Sequence, residues 1–194
     1  MENTGIIILA AGASKRLGSP KQQLVFQKQM LLQRIIDTSL QTRCRPVVVV
    51  LGAYADDIRK DITASNIHLA LNTNWESGMA SSIHTGIREL LRITDTINGA
   101  FILVCDQPFI TPQLLHELMS ARLTTGKEII ACCYNDILGT PVLFSRAFFP
   151  QLMALSGQEG AKKLLLKYTA ITATVSFPQG AIDIDTPEDY KNLL

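Results

Sequence analysis

Four stretches of this chain carry residue types at spacings that chemistry could use. The first runs from Gly5 to Lys21. Its apolar run Ile6-Ile7-Ile8-Leu9-Ala10 breaks into Ala11-Gly12-Ala13-Ser14, followed by Lys15, Arg16, Gly18 and Lys21. A buried strand ending in small residues leaves backbone N–H groups unobstructed, and adjacent cations add positive charge. Together these make a grip for an anion such as a phosphate. No Gly-Lys-Ser/Thr closes the loop, so it is not a Walker A loop. Ala13 and Ser14 follow Gly12, so it is not a dinucleotide Gly-x-Gly-x-x-Gly either. The plainer alternative is a strand-to-helix turn whose cations are merely solvated.

The second stretch is Cys105-Asp106-Gln107-Pro108, just past the apolar run Ala100–Val104. Asp106 therefore belongs at the same sheet edge as the loop. A hard cation such as Mg²⁺ takes one or two carboxylates plus phosphate oxygens and water. The third is Asp183 and Asp185, which alternation in a strand would set on one face. Asp106 and Asp185 together could bracket a divalent ion. For each of these acids, capping a nearby helix is the competing role. The fourth is Asn74-Trp75-Glu76-Ser77-Gly78-Met79-Ala80-Ser81-Ser82. In the helix that follows, Gly78, Ser82 and Gly86 recur every four residues beside an apolar face of Met79, Ile83, Ile87 and Leu90. The serines and N-terminal amides here are ligand candidates, whereas Gly86 serves close helix–sheet packing equally well.

These residues need elements to position them. Apolar runs predict strands at Ile6–Ala10, Val47–Leu51, Ile67–Leu71, Ala100–Val104, Glu128–Cys133 and Ile171–Phe177. Helices are expected over Met30–Leu40, Ala55–Ile62, Met79–Leu91, Arg146–Ala154 and Glu159–Lys167. Thr111-Pro112 starts another, running to about Leu123, and Thr186-Pro187 starts a last one. Gly139–Phe144 follows a polar turn and is expected to pair antiparallel at an edge. Ile182–Asp185 reads as extended. Strands alternating with helices give an α/β fold with a mostly parallel sheet, in one domain spanning 1–194.

Composition narrows the classes. Hydrophobic residues make up 47% and charged residues 18% of 194, as expected of a globular protein. A net charge of +1 argues against nucleic-acid or membrane binding, which usually needs a basic excess. Yet no acid falls between Glu2 and Asp37, where Lys15, Arg16, Lys21, Lys28 and Arg34 lie, so an anionic ligand near this segment is expected. Cys44, Cys105, Cys132 and Cys133 form no CxxC pair, and Cys105 and Cys132 read as buried apolar groups. With no signal peptide or membrane-length apolar run, the cytoplasm is the expected compartment. His68, His84 and His116 lack metal-ligand spacing, and no nucleophile elbow appears.

Taken together, Leu9-Ala10-Ala11-Gly12-x-Ser14-x-Arg16-x-Gly18-x-x-Lys21 resembles the signature of nucleotidyltransferases related to the molybdenum cofactor enzymes, the MobA-like NTP transferase superfamily. Similar signatures occur in sugar-nucleotide and isoprenoid-precursor transferases. Asn74-x-x-x-Gly78-Met79-x-x-Ser82, Cys105–Pro108 and Asp183–Asp189 are similar to the molybdenum cofactor cytidylyltransferase branch, as is the Ala-Ala-Gly form of the loop. Three positions depart from that branch. Gln158 and Lys162 stand where Asp and Arg are common, and Thr140 where His often precedes the Pro.

The resemblance implies a Rossmann-like three-layer α/β/α fold with an antiparallel edge element. It also implies transfer of CMP from CTP to a phosphorylated acceptor, molybdopterin, with release of pyrophosphate. Arg16, Lys21 and Asp106 would act in catalysis. Leu9, Ala10, Ala11, Gly12, Ser14, Arg16, Lys21, Asn74, Gly78 and Ser82 would hold the nucleotide. Asp106 and Asp185 would hold Mg²⁺. A molybdoenzyme or its chaperone is the implied protein partner. The alternatives are a transferase of the same fold acting on a sugar phosphate and a non-catalytic cofactor-binding chaperone.

Overall fold

The computed structural model describes residues 3–193. In chain order the elements are β1 (Thr4–Ala10), β2 (Val25–Phe26), β3 (Gln29–Met30), α1 (Leu31–Leu40), β4 (Val47–Leu51), α2 (Ala55–Asp61), β5 (His68–Leu71) and α3 (Met79–Ile93). Then come β6 (Gly99–Val104), α4 (Pro112–Thr125), β7 (Ile129–Tyr134), β8 (Ile137–Ser145), α5 (Phe149–Met153), α6 (Ala161–Lys167), β9 (Thr172–Ser176) and α7 (Pro187–Leu193). Short 3₁₀ turns cover Lys21–Gln23, Trp75–Ser77, Arg146–Phe148, Thr169–Ile171 and Pro178–Ala181.

Seven strands form one sheet in the order β5-β4-β1-β6-β8-β7-β9. Strand β1 is buried along both faces, which explains its unbroken apolar run. Ile7 packs into a core with Ile83, Ile87 and Leu90 of α3, Leu152 of α5 and Leu164 of α6. Ile6 and Ile8 point the other way, to Ile35 of α1, Ile58 of α2 and Leu115 of α4. Two cores on opposite sides of one sheet make the three-layer α/β/α arrangement. Strand β1 pairs in parallel with β4 on one side and β6 on the other. The chain thus leaves β1 in both directions, and the crevice at such a reversal is where open α/β sheets bind ligands.

The expected antiparallel element is β8. It lies inside the sheet, antiparallel to both β6 and β7, so the other six strands share one direction. Gly139–Phe144 is therefore antiparallel but not an edge, and Pro141, which cannot donate to a ladder, stands inside the sheet. The structure accommodates it with a bulge: Ala131 pairs with Val142 but Cys132 with Gly139, leaving Thr140 and Pro141 out of register. The β7–β8 turn places Asn135 and Asp136 at φ 48° and 58°, a conformation these two side chains tolerate.

Three expectations change. Arg146–Ala154 splits into a 3₁₀ turn and α5. The hairpin β2–β3 was not foreseen. Ile182–Asp185 is irregular and not a strand, because a 3₁₀ turn over Pro178–Ala181 interrupts the chain just before it. The helix starts hold. The Thr111 hydroxyl accepts from Leu114 N–H at 3.2 Å. Before α7, Thr186 and Asp189 bond reciprocally: Thr186 N–H donates to Asp189 at 2.8 Å, and Asp189 N–H donates to Thr186 Oγ1 at 3.2 Å.

The small-residue stripe of α3 resolves into a packing device at Gly86. A Cβ there would run into Cγ2 of Ile7, a β-branched side chain fixed in the central strand. Gly86→Ala is therefore expected to destabilise the fold by about 1–3 kcal/mol, as overpacked cores do. Urea unfolding of the variant beside wild type checks this; an unchanged midpoint would contradict the contact.

Candidate active site

The loop after β1 is held by its own carbonyls. Gln22 is 2% exposed, and its Nε2 donates to Ala10 O at 2.7 Å and Gly12 O at 3.0 Å. The Ala11 carbonyl accepts from Ala53 N–H at 3.0 Å. Ser14, at φ 51°, turns the chain, and its hydroxyl accepts from Lys21 N–H at 3.0 Å. With these carbonyls pinned, the amides of Gly12, Ala13, Lys15 and Arg16 donate to no acceptor among the described residues. A row of undirected N–H groups beside two lysines is what an anion requires.

Lys21 then reaches across the sheet edge. Its Nζ donates to Asp106 Oδ2 at 2.7 Å and to Asp185 Oδ1 at 2.8 Å. Asp185 also accepts from Arg16 Nη2 at 2.6 Å. Burial alone would lower the Lys21 ammonium. The charge of Asp106 and the hydrogen bonds to Asp106 and Asp185 outweigh it and hold the group charged above the ordinary lysine range. Burial likewise favours protonation of Asp185, but bonding and charge from Lys21, then Arg16, keep its carboxyl below the usual range. Asp183 is shifted the other way, first by partial burial and then by the negative charges of Asp185 and Asp106. Burial pushes the Cys105 thiol up to about 12, so it serves as neutral packing.

Two cavities meet at this cluster. One, of about 410 Å³, is lined by the loop from Leu9 to Ala13, by Lys15, and by Trp75, Glu76, Gly78 and Ser82 on the α3 side. The other, of about 620 Å³, has walls from Tyr134, Leu138, Thr140, Leu165 and Lys162, with Asp183 and Asp185 at one side. Leu9, Lys21, Met79, Val104, Asp106 and Gln158 border both. In the second cavity Gln107 is clamped: its Nε2 donates to Gly180 O at 3.0 Å, and its Oε1 accepts from Thr140 at 2.9 Å. Gly78 sits at φ 107° with a would-be Cβ against Gly157 O, so only glycine fits there.

The structure brings most of the sequence-derived candidates together and sets some aside. Leu9, Ala10, Ala11, Gly12, Lys21, Gly78, Ser82 and Asp106 line the first cavity. Arg16 and Asp185 lie on the second. Ser14 works inside the loop, through Lys21 N–H. Asn74 lies outside both cavities, in a separate groove with Leu71 and Arg88. The amide that organises this corner is Asn72, whose Nδ2 donates to Ser81 at 2.8 Å and Ser82 at 3.0 Å. Gln22, Trp75 and Glu76 were not among the site candidates, and Asp183 was singled out only as the partner of Asp185. A buried glutamine carries no sequence signal of its own, whereas Trp75 and Glu76 stood inside the singled-out Asn74–Ser82 stretch.

The donor set fits a hard divalent cation. Two carboxylates converge on one point, with Asp183 beside them and open cavity for phosphate oxygens and water. No cluster of three or more His, Cys, Asp or Glu in ligating arrangement occurs among the described residues, so the coordination shell of such an ion would depend on substrate oxygens.

The chain is 24% identical to the molybdenum cofactor cytidylyltransferase of Escherichia coli (strain K12), over 95% of this chain and 92% of that one. It is 27% identical to the nicotine blue oxidoreductase of Paenarthrobacter nicotinovorans, over 97% and 95%. The crystal structure of Rv0371C from Mycobacterium tuberculosis in complex with manganese superposes with a TM-score of 0.82 at 25% identity, covering 99% of this chain and 98% of that one. Residues 6–171 match the MobA-like NTP transferase domain, and the chain belongs to that family.

Proposed function

We propose that this protein is a cytidylyltransferase that moves CMP from CTP to the terminal phosphate of a small acceptor, molybdopterin. The observation that carries the reading is the pair of cavities sharing Lys21 and Asp106. One is lined by a phosphate-type loop, and the other is walled by an aromatic ring and aliphatic side chains. CTP fits the first, with its phosphates on the loop amides and Lys15. The acceptor fits the second, where Tyr134, Leu138 and Leu165 suit a flat ring system better than a sugar. The likeness to the Escherichia coli cytidylyltransferase supports the same assignment.

In the reaction an acceptor phosphate oxygen attacks the α-phosphorus of CTP. The bond to the bridging oxygen of the β-phosphate breaks, and pyrophosphate leaves. Such a transfer needs positioning and charge stabilisation more than a protein nucleophile. The loop amides and Lys21 face the leaving charge. Arg16, tied to Asp185, faces the incoming phosphate. Mg²⁺, held by Asp106 and Asp185, would supply charge neutralisation at the phosphate oxygens. The backbone from Ala10 to Gly12, fixed through its carbonyls by Gln22 and Ala53, gives the base a rigid wall. No described helix is long and apolar enough to cross a membrane, and the buried thiols suit the reducing cytoplasm.

Incubation with each NTP, Mg²⁺ and a panel of acceptors, followed by pyrophosphate release, tests the proposal. Turnover is expected with CTP and molybdopterin; turnover with sugar phosphates alone would replace the acceptor. Asp106→Ala is expected to lower transfer on the order of 100-fold or more with an unchanged circular dichroism spectrum. Wild-type rates in that variant would remove Asp106 from the chemistry.

Asp183 gives a prediction of opposite kind. Its folded-state pKa is raised, so its charge opposes folding at neutral pH, and the penalty vanishes once pH falls below the unfolded-state value of about 3.9. Asp183→Asn should therefore stabilise the protein by less than about 1 kcal/mol at pH 7 and by nothing at pH 3. Denaturant midpoints at the two pH values measure this, and equal gains at both would contradict it.

A further inference from the structure

The seat between Asp106 and Asp185 is taken by a cation from the chain itself. The Lys21 ammonium bonds both carboxylates, and its side chain is 16% exposed, against 19% for Asp106. Its backbone is fixed, with the N–H tied to Ser14 at the start of the 3₁₀ turn carrying the buried clamp Gln22, so only the side chain can swing. A divalent ion on these two carboxylates would sit within about 2.1 Å of the same oxygens. That is the place Nζ already holds, at 2.7 and 2.8 Å. Two cations cannot share it, so ion and ammonium exclude each other while Lys21 stays in place. Lys21 also borders the cavity lined by the loop amides. A polyanion bound there would offer the ammonium a second set of oxygens. Arg16 would remain on Asp185 through its other oxygen, Oδ2.

We propose that Lys21 is an internal counter-ion that keeps the carboxylate pair closed to divalent cations until the phosphates of a nucleotide draw it aside. The metal then binds with the nucleotide and not before it. This rests on the reading of the first cavity as an NTP site. It goes further by giving Lys21 a role in the nucleotide-free protein and an order to the two binding events.

The test is binding of Mn²⁺ to the full-length protein, followed by the electron paramagnetic resonance signal of the free ion and read against a protein-free control holding the same nucleotide, because a triphosphate chelates Mn²⁺ by itself. Wild type without nucleotide should bind Mn²⁺ weakly, and CTP without acceptor should tighten binding at least about tenfold. Lys21→Met should bind Mn²⁺ at least about tenfold more tightly than wild type without nucleotide, and Lys21→Arg, which keeps the charge, should not. Lys21→Met combined with Asp106→Asn should lose the gain, which locates the ion. The wild-type titration needs no variant to fold. Equal Mn²⁺ affinity in nucleotide-free wild type and Lys21→Met would overturn the proposal. So would wild-type affinity that none of CTP, GTP, ATP or UTP changes. Tightening by GTP but not CTP would keep the latch and refute the cytidylyl assignment.

Discussion

The site depends on one partly buried ammonium that joins three distant parts of the chain. Lys21 follows β1, Asp106 follows β6 and Asp185 precedes α7, and the lysine bonds both acids. A backbone bond from Ile184 N–H to Asp106 O at 3.2 Å holds the two acidic segments at the same height. Buried charges persist only when paired. The pairing therefore fixes where the irregular segment before α7 must lie, and Ile184, fully buried against Phe26 and Leu31, anchors it from below. Without such ties, a segment that is neither strand nor helix would have no reason to meet the sheet edge.

Around that centre the sheet divides labour. The end of β1, its loop and helix α3 build most of the smaller cavity; β6, β8 and β7, with α6, build most of the larger. The contact that couples the two halves is backbone. Ala80 N–H donates to Gly157 O at 3.2 Å, bringing the start of α3 against the loop that carries Gln158. The residues that separate this chain from the cytidylyltransferase branch, Thr140, Gln158 and Lys162, all border the larger cavity. Thr140 and Lys162 border that cavity alone and Gln158 borders both, while the loop after β1 keeps the form of the family.

Much of this was legible in the sequence, for physical reasons that also mark what was not. Strands β1, β4, β6 and β7 are buried on both faces, so their apolar runs announced them. The two Thr-Pro starts announced α4 and α7. The hairpin β2–β3 was silent because its turn sets Gln27 and Lys28 at φ 50° and 67°, without the Asn-Gly or Asp-Gly pair that signals such turns. The alternation argument for Asp183 and Asp185 failed with the strand it assumed, yet Asp185 still reached Asp106, by way of Lys21. The choice between Asn72 and Asn74 could not be made from spacing. It is decided by which amide the strand end aims at the serines of α3.

The reversed strand has a consequence of a different order. Because β8 runs against its neighbours, its first residues, and not its last, stand at the ligand-binding rim. The tight Asn135-Asp136 turn and the bulge at Thr140 are therefore both placed on the side of the larger cavity. Lengthening or shortening that hairpin would remodel the wall of the larger cavity without disturbing β1, its loop or the buried lysine. A fold wired in this way can reshape one cavity by indels at a single hairpin while the other keeps its walls.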